Sequence, residues 1–171
     1  LPVIAPCDSI ETAAAVEWAA GYEGPVFLRL SRVGVPDLLP AGHKFVPGKA
    51  NVLRDGDAVT LIANGTLTHR MMKAADILAS RGIEARVLNM ATVRPIDVEA
   101  VVAAARDTGA ILTAEEHSIY GGLGSAIAEV VVAESPVPMK ILGVPGIFAP
   151  TGSAEVSKEP PPAERSARTR G

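Results

Sequence analysis

Aromatic side chains are scarce: Phe, Tyr and Trp make up 4% of 171 residues, while hydrophobic residues make up 48%. A core must therefore be aliphatic, built from Ala, Val, Ile and Leu, which suits a parallel sheet covered by Ala-rich helices. The single cysteine, Cys7, excludes an internal disulfide and fits a reducing compartment, so a cytoplasmic location is expected. A small buried thiol is favoured for it over a reactive one. Neither sign of charge is in large excess. Lys and Arg number 16 against 19 Asp and Glu, a net charge of -3, which gives no case for nucleic acid or an anionic membrane as partner. No apolar run approaches membrane-spanning length. Leu1–Ile4 has neither the basic region nor the cleavage site of a signal peptide. His43, His69 and His117 form no i,i+4 pair, and no metal site is expected. An initiator Met is also missing, so the chain reads as a piece of something longer.

What is present is alternation. Asp8-Ser9-Ile10-Glu11 has the form of a capping box and predicts a helix to about Ala20. Pro25–Leu30 reads as a buried strand. Strand, helix and strand over thirty residues are the tail of a βαβ arrangement too small to stand alone. Between Ser31 and Asp57 the turn signals Val35-Pro36, Leu39-Pro40, Ala41-Gly42, Val46-Pro47-Gly48 and Asp55-Gly56-Asp57 carry no helical period. This is read as a linker with room for a short strand at Ala50–Leu53. From Ala58 onward the text is regular. Strands are expected at Val59–Ala63, Ile83–Met90, Ala110–Ala114 and Pro138–Val144, with Ile147-Phe148 available to extend the sheet. Helices are expected through Leu67, Met71, Ala75 and Leu78, through Val98, Val101, Val102 and Ala105, and from near Ser125 to about Val132. This order implies an α/β fold: a three-layer, open, mostly parallel sheet with right-handed crossovers and helices on both faces. The terminal VSKEPPPAERSARTRG has three consecutive prolines and scattered charges, and is expected to be disordered.

Two stretches are candidates for chemistry. Thr113–Glu129 delivers Glu115, Glu116 and His117 at a strand end, then the turn Gly121-Gly122-Leu123-Gly124 and a helix. Ligand sites of open α/β sheets lie at such ends. The three polar residues suit an acid/base cluster, or a strand end that bonds a neighbouring subunit. The turn is neither a dinucleotide fingerprint nor a P-loop. Its amides suit an anion at Gly122, Gly124 and Ser125, although a tight turn that needs glycine backbones is favoured. The second stretch is Leu28-Arg29-Leu30-Ser31-Arg32. Arg32 falls just past an apolar strand, where a guanidinium can bind phosphate. Spacing alone favours a surface salt bridge for it.

Taken together, several segments resemble the transketolase family. Cys7-Asp8-Ser9-Ile10-Glu11-Thr12 and Gly24–Arg32 look like the end of the pyrimidine-binding domain. Asp57–Gly65, Arg86–Met90, Arg94-Pro95-Ile96-Asp97, Glu115–Ser118 and Gly121–Ser125 look like the C-terminal domain. The pattern is nearest to the C-terminal subunit of split transketolases. 1-Deoxyxylulose-5-phosphate synthase shares much of it, and the β subunit of oxoacid dehydrogenases is a further alternative. The resemblance implies residues 1–32 as the end of a pyrimidine-binding domain, 33–57 as linker, 58–153 as the C-terminal domain and 154–171 as tail. It implies transfer of two-carbon ketol units between sugar phosphates in carbohydrate metabolism and the pentose phosphate pathway. It also implies thiamine diphosphate and magnesium in the complete enzyme, none bound by this chain alone. No catalytic residue is carried here. The family's phosphate-binding arginine matches Arg32 of Ser31-Arg32. Glu116, His117, Gly122, Gly124 and Ser125 stay as anion-binding or interface candidates. The implied partners are the missing N-terminal domains or a partner subunit, in a homodimer or heterotetramer. A non-catalytic assembly or anion-binding module is the alternative. After Phe148–Ser153 the resemblance implies a final helix where this chain has its Pro- and Arg-rich tail, which reads as a fragment boundary or an altered gene end.

Overall fold

The structure, a computed structural model, describes residues 1–146. The expected disordered tail, the suggested extension at Ile147-Phe148 and the last residues of the 58–153 segment lie outside that range.

The elements in chain order are β1 (Val3–Ile4), α1 (Ser9–Ala20), β2 (Phe27–Leu28), β3 (Asn51–Arg54), β4 (Val59–Ala63) and α2 (Leu67–Ala79). There follow β5 (Ala85–Asn89), β6 (Thr92–Arg94), α3 (Val98–Thr108), β7 (Ile111–Ser118), α4 (Leu123–Glu134) and β8 (Met139–Val144). Five strands form the main sheet in the order β3-β5-β4-β7-β8. β5, β4, β7 and β8 are parallel, and β3 adds an antiparallel edge. Side chains alternate across β4, so Leu61 and Ala63 meet Met71 and Ala75 of α2, while Ile62 meets α3 and α4 through Val101, Ala105, Ile127 and Val131. The expected three layers are thus present, with an aliphatic core.

Local chemistry explains the helix ends. Asp8 caps α1 by accepting the Glu11 N–H at 2.8 Å. Asp97 caps α3 by accepting the Ala100 N–H at 3.1 Å, and Gly109 ends that helix in the left-handed region at φ 66°.

Three details depart from the sequence reading. β2 is short and Phe27 is half exposed, because among the described residues β2 has a neighbour on one side only, β1. β6 has no counterpart among the expected strands; it pairs antiparallel with β1 and completes a second sheet, β2-β1-β6. β7 runs on to Ser118, so Glu115, Glu116 and His117 belong to the strand and not to a loop beyond it. The short strand for which the linker had room is β3, one residue later at each end than its expected span.

The first thirty residues are tied to the rest of the chain. The Ala5 N–H donates to the Ala91 carbonyl at 2.8 Å, and the Gly65 N–H donates to the Ala5 carbonyl at 3.0 Å. Glu11 is fully buried. Its carboxylate accepts from the Cys7 N–H at 2.7 Å, from Asn89 Nδ2 at 2.8 Å and from Asn51 Nδ2 at 3.2 Å. The capping-box acid therefore reaches one residue further back than the usual pattern and also binds across to β5 and β3.

Candidate functional site

From β4 the chain passes through α2 to β5 on one side, then returns through α3 to β7 on the other. The crevice of such a sheet lies outside the carboxyl ends of β4 and β7. At the β4 end the first segment sits in that place, through the Ala5–Gly65 and Glu11–Asn89 bonds.

At the β7 end the glycine turn already holds an anion, and it is the chain's own. Glu115, 5% exposed, accepts from the Leu123 N–H at 2.7 Å and from the Gly124 N–H at 2.9 Å. A buried carboxylate from the strand thus satisfies orphan donors at the start of α4 and complements the helix dipole. The glycines are explained by crowding. A Cβ on Gly122 would lie 2.1 Å from Glu115 Oε2, and one on Gly124 would lie 2.5 Å from Ile141 Cγ2. The Ser125 hydroxyl accepts from the Gly121 N–H at 2.9 Å. An external anion at Gly122, Gly124 and Ser125 would have to displace Glu115. Beside the turn is a cavity of about 700 Å³ lined by Arg94, Ser125 and Glu129 among others. Its mixture of charges gives no preference for an anion.

The adjoining residues are differently placed. β7 pairs with β8 at Ala114–Leu142 and next at Ser118–Val144, so four steps along β7 match two along β8. This irregularity is a bulge, a device that re-aims side chains. Glu115 turns inward from it. His117 is exposed, and its Nδ1, protonated, donates to the Ser118 carbonyl at 3.0 Å. Arg29 Nη2 donates to the main-chain carbonyl of Glu116. The two stretches nominated from sequence therefore meet, through Arg29, which lies in the second stretch but was not singled out as a site residue there. Only the repeated arginines of Leu28–Arg32 hinted at it. Arg32 is exposed, three residues beyond Arg29.

The segment carrying Arg32 is anchored further on by Asp8, whose second carboxylate oxygen accepts from the Leu38 N–H at 2.8 Å and the Leu39 N–H at 2.9 Å. Ser9 Oγ donates to Asp37 Oδ1 at 2.6 Å. Cys7 is buried beside Glu11 and Asp8. Burial first, then the Glu11 and Asp8 charges, push its thiol well above the ordinary range. Among the described residues no three His, Cys, Asp or Glu side chains cluster as metal ligands, and no helix is long and apolar enough to cross a membrane.

An open, doubly wound α/β domain with a preceding segment docked at its strand ends is the class this architecture defines. The chain belongs to the transketolase C-terminal domain family, whose pattern matches residues 48–160. It is 43% identical over 144 residues to an apulose-4-phosphate transketolase subunit of Phocaeicola vulgatus, covering 84% of this chain and 46% of that protein. It is 41% identical over 159 residues to a 6-deoxy-6-sulfo-D-fructose transketolase subunit of Clostridium sp. MSTE9, covering 93% of this chain and 49% of that subunit. The 1-deoxy-D-xylulose-5-phosphate synthase of Desulforudis audaxviator is 40% identical over 157 residues, which cover 90% of this chain and 25% of that enzyme. Among solved structures, a split-gene transketolase described as an inactive β4 tetramer superposes with a TM-score of 0.82 at 48% identity, over 84% of this chain and 48% of that one. The chain spans about half the length of the split-transketolase relatives it matches.

Proposed function

We propose that this chain is the carboxy-terminal part of a thiamine-diphosphate-dependent transketolase that moves two-carbon ketol units between sugar phosphates. The observation that carries the reading is the match to separate transketolase subunits along 84% and 93% of this chain, at 43% and 41% identity. The described residues do not fit the cofactor. The helix-start amides suited to a diphosphate are taken by Glu115, and no cluster of metal ligands is present among the described residues. Binding of thiamine diphosphate and magnesium is assigned to the amino-terminal part or partner subunit. The proposed domain division, with residues 1–32 closing a pyrimidine-binding domain and 58–153 forming the C-terminal domain, gives this chain two tasks. It supplies assembly surface, and it offers one contact to the substrate.

That contact is Arg32. Its side chain is exposed in a bend four residues beyond β2, on a segment tied down by Arg29 on one side and by Asp8 on the other. A guanidinium so placed suits the dianionic end of a sugar phosphate. Glu116 and His117, at the bulge, are proposed to face the partner in the assembled enzyme. Arg32→Ala in the assembled enzyme tests the phosphate role. Loss of a charge-assisted contact is worth about 1.5–3 kcal/mol, a rise in KM of roughly 10- to 150-fold for phosphorylated donors. Equal effects on phosphorylated and unphosphorylated donors rule it out.

A further inference from the structure

We propose that Arg29 is a positioning residue for the substrate-phosphate contact, holding the Arg32 segment against the β7 bulge. The inference rests on the phosphate role of Arg32 given above. Its support starts with the Arg29 main chain, which is fixed, its N–H donating to the Ile4 carbonyl at 2.8 Å. The Arg29 guanidinium crosses to β7 and donates to the Glu116 carbonyl, 87 residues away in sequence. The bulge lifts residues 115–117 out of register with β8. It is held from inside by the Glu115 carboxylate on the amides of α4. From the β8 side it is packed against Gly143, where a Cβ would lie 2.7 Å from the His117 carbonyl.

Beyond Leu28 the chain leaves its sheet, and Ser31–Gly34 are exposed. The next long-range anchors are Asp37, which accepts from Ser9 Oγ at 2.6 Å, and the Leu38 and Leu39 amides on Asp8. Arg32 thus lies on a span fixed at one end by Arg29 and at the other by the contacts of residues 37–39 with Asp8 and Ser9. The Arg29 end is the nearer by residue count. Removing the Arg29 guanidinium takes away the side-chain half of that anchor, the tie to the β7 bulge, while the main-chain bond to Ile4 and the charge of Arg32 stay intact. The cost is one of placement, which a sub-ångström requirement for substrate contacts makes visible.

The test is steady-state kinetics of the assembled enzyme, chain plus amino-terminal partner, with Arg29→Met, Arg29→Lys, Arg32→Ala and the double variant Arg29→Met/Arg32→Ala. Donors with and without a phosphate are compared. Arg29→Met is expected to raise KM for the phosphorylated donor about tenfold more than for the unphosphorylated one, within what misplacement of a substrate contact produces. Lys keeps a donor for the Glu116 carbonyl and is expected to recover most of the loss. The double variant is expected to be no worse than Arg32→Ala alone, because a positioning residue has nothing left to position. If Arg29→Met does not assemble, Arg29→Gln, a shorter donor, carries the same comparison. Equal effects on both donors, or full additivity with Arg32→Ala, overturns the inference. If Arg32→Ala is donor-selective and Arg29→Met is not, the positioning role alone falls. If Arg32→Ala is not selective, the phosphate reading falls and this inference falls with it.

Discussion

Replacing Gly122 by Ala asks whether the glycine turn exists to admit the Glu115 carboxylate. The Gly122 backbone, at φ -103° and ψ -151°, is extended, so an alanine meets no conformational penalty there. Its Cβ would nevertheless lie 2.1 Å from Glu115 Oε2 and 2.7 Å from Cδ. The carboxylate must move, and the Leu123 and Gly124 amides lose acceptors now at 2.7 and 2.9 Å. Hydrogen bonds to a charged group contribute about 1.5–3 kcal/mol each, and part is recovered as the turn relaxes, so a loss of about 3 kcal/mol is expected. For a chain of this size that is a fall in Tm of roughly 6–12 °C. Glu115→Ala is expected to cost a similar amount by leaving two buried donors unmet. The cycle distinguishes the causes. In the Glu115→Ala background the space is vacant, so adding Gly122→Ala is expected to cost under about 1 kcal/mol, a coupling of about 2 kcal/mol. Urea denaturation of the four proteins measures it. Additive losses would refute the steric account and return the turn to the role of an external anion site.

Two further predictions concern the first segment. Glu11→Ala removes the acceptor for the Cys7 amide and for the side chains of Asn51 and Asn89. It is expected to cost about 3 kcal/mol. Hydrogen exchange should accelerate at the amides of Ala5 and Cys7 well before those of β4, and unchanged protection at Ala5 would contradict the docking role. The Cys7 thiol, raised by burial and by the Glu11 and Asp8 charges, binds its proton more tightly in the folded state than in the unfolded one. Its contribution is therefore complete below the unfolded value of about 8.5 and declines as pH rises above it, by up to about 1.4 kcal/mol per pH unit. Urea midpoints from pH 8 to 10 should fall less steeply in Cys7→Ala. Parallel curves would contradict it.

Much of this architecture is legible in the chain because its determinants are local. The Asp8 and Asp97 caps, the Gly109 stop and the helical spacing of Met71 and Ala75 act within a few residues. The parallel course of β5, β4, β7 and β8 follows from alternation and crossover handedness. What escapes sequence reading acts over distance. Nothing near Glu115 announces that its carboxylate turns inward, because the reason lies in the Leu123 and Gly124 amides. The capping-box pattern identifies Glu11 but not its partners Asn51 and Asn89, 40 and 78 residues away. β2 reads as buried from its apolar text, yet burial depends on a second neighbour strand that is absent among the described residues. Arg29 resembles a surface charge until the bulge at Glu116 presents it with a carbonyl. The resemblance to transketolases singled out Arg32 where spacing alone favoured a salt bridge, and the fold places Arg29, three residues before it, on the Glu116 carbonyl.

The central claim, that this chain completes a transketolase, is tested most directly by reconstitution. The chain is mixed with its amino-terminal partner polypeptide, thiamine diphosphate and magnesium, and two-carbon transfer from a ketose phosphate to an aldose phosphate is followed. Neither polypeptide alone is expected to transfer, and transfer is expected when both are present. Transfer by this chain alone, or none by the physically associated pair, would contradict it.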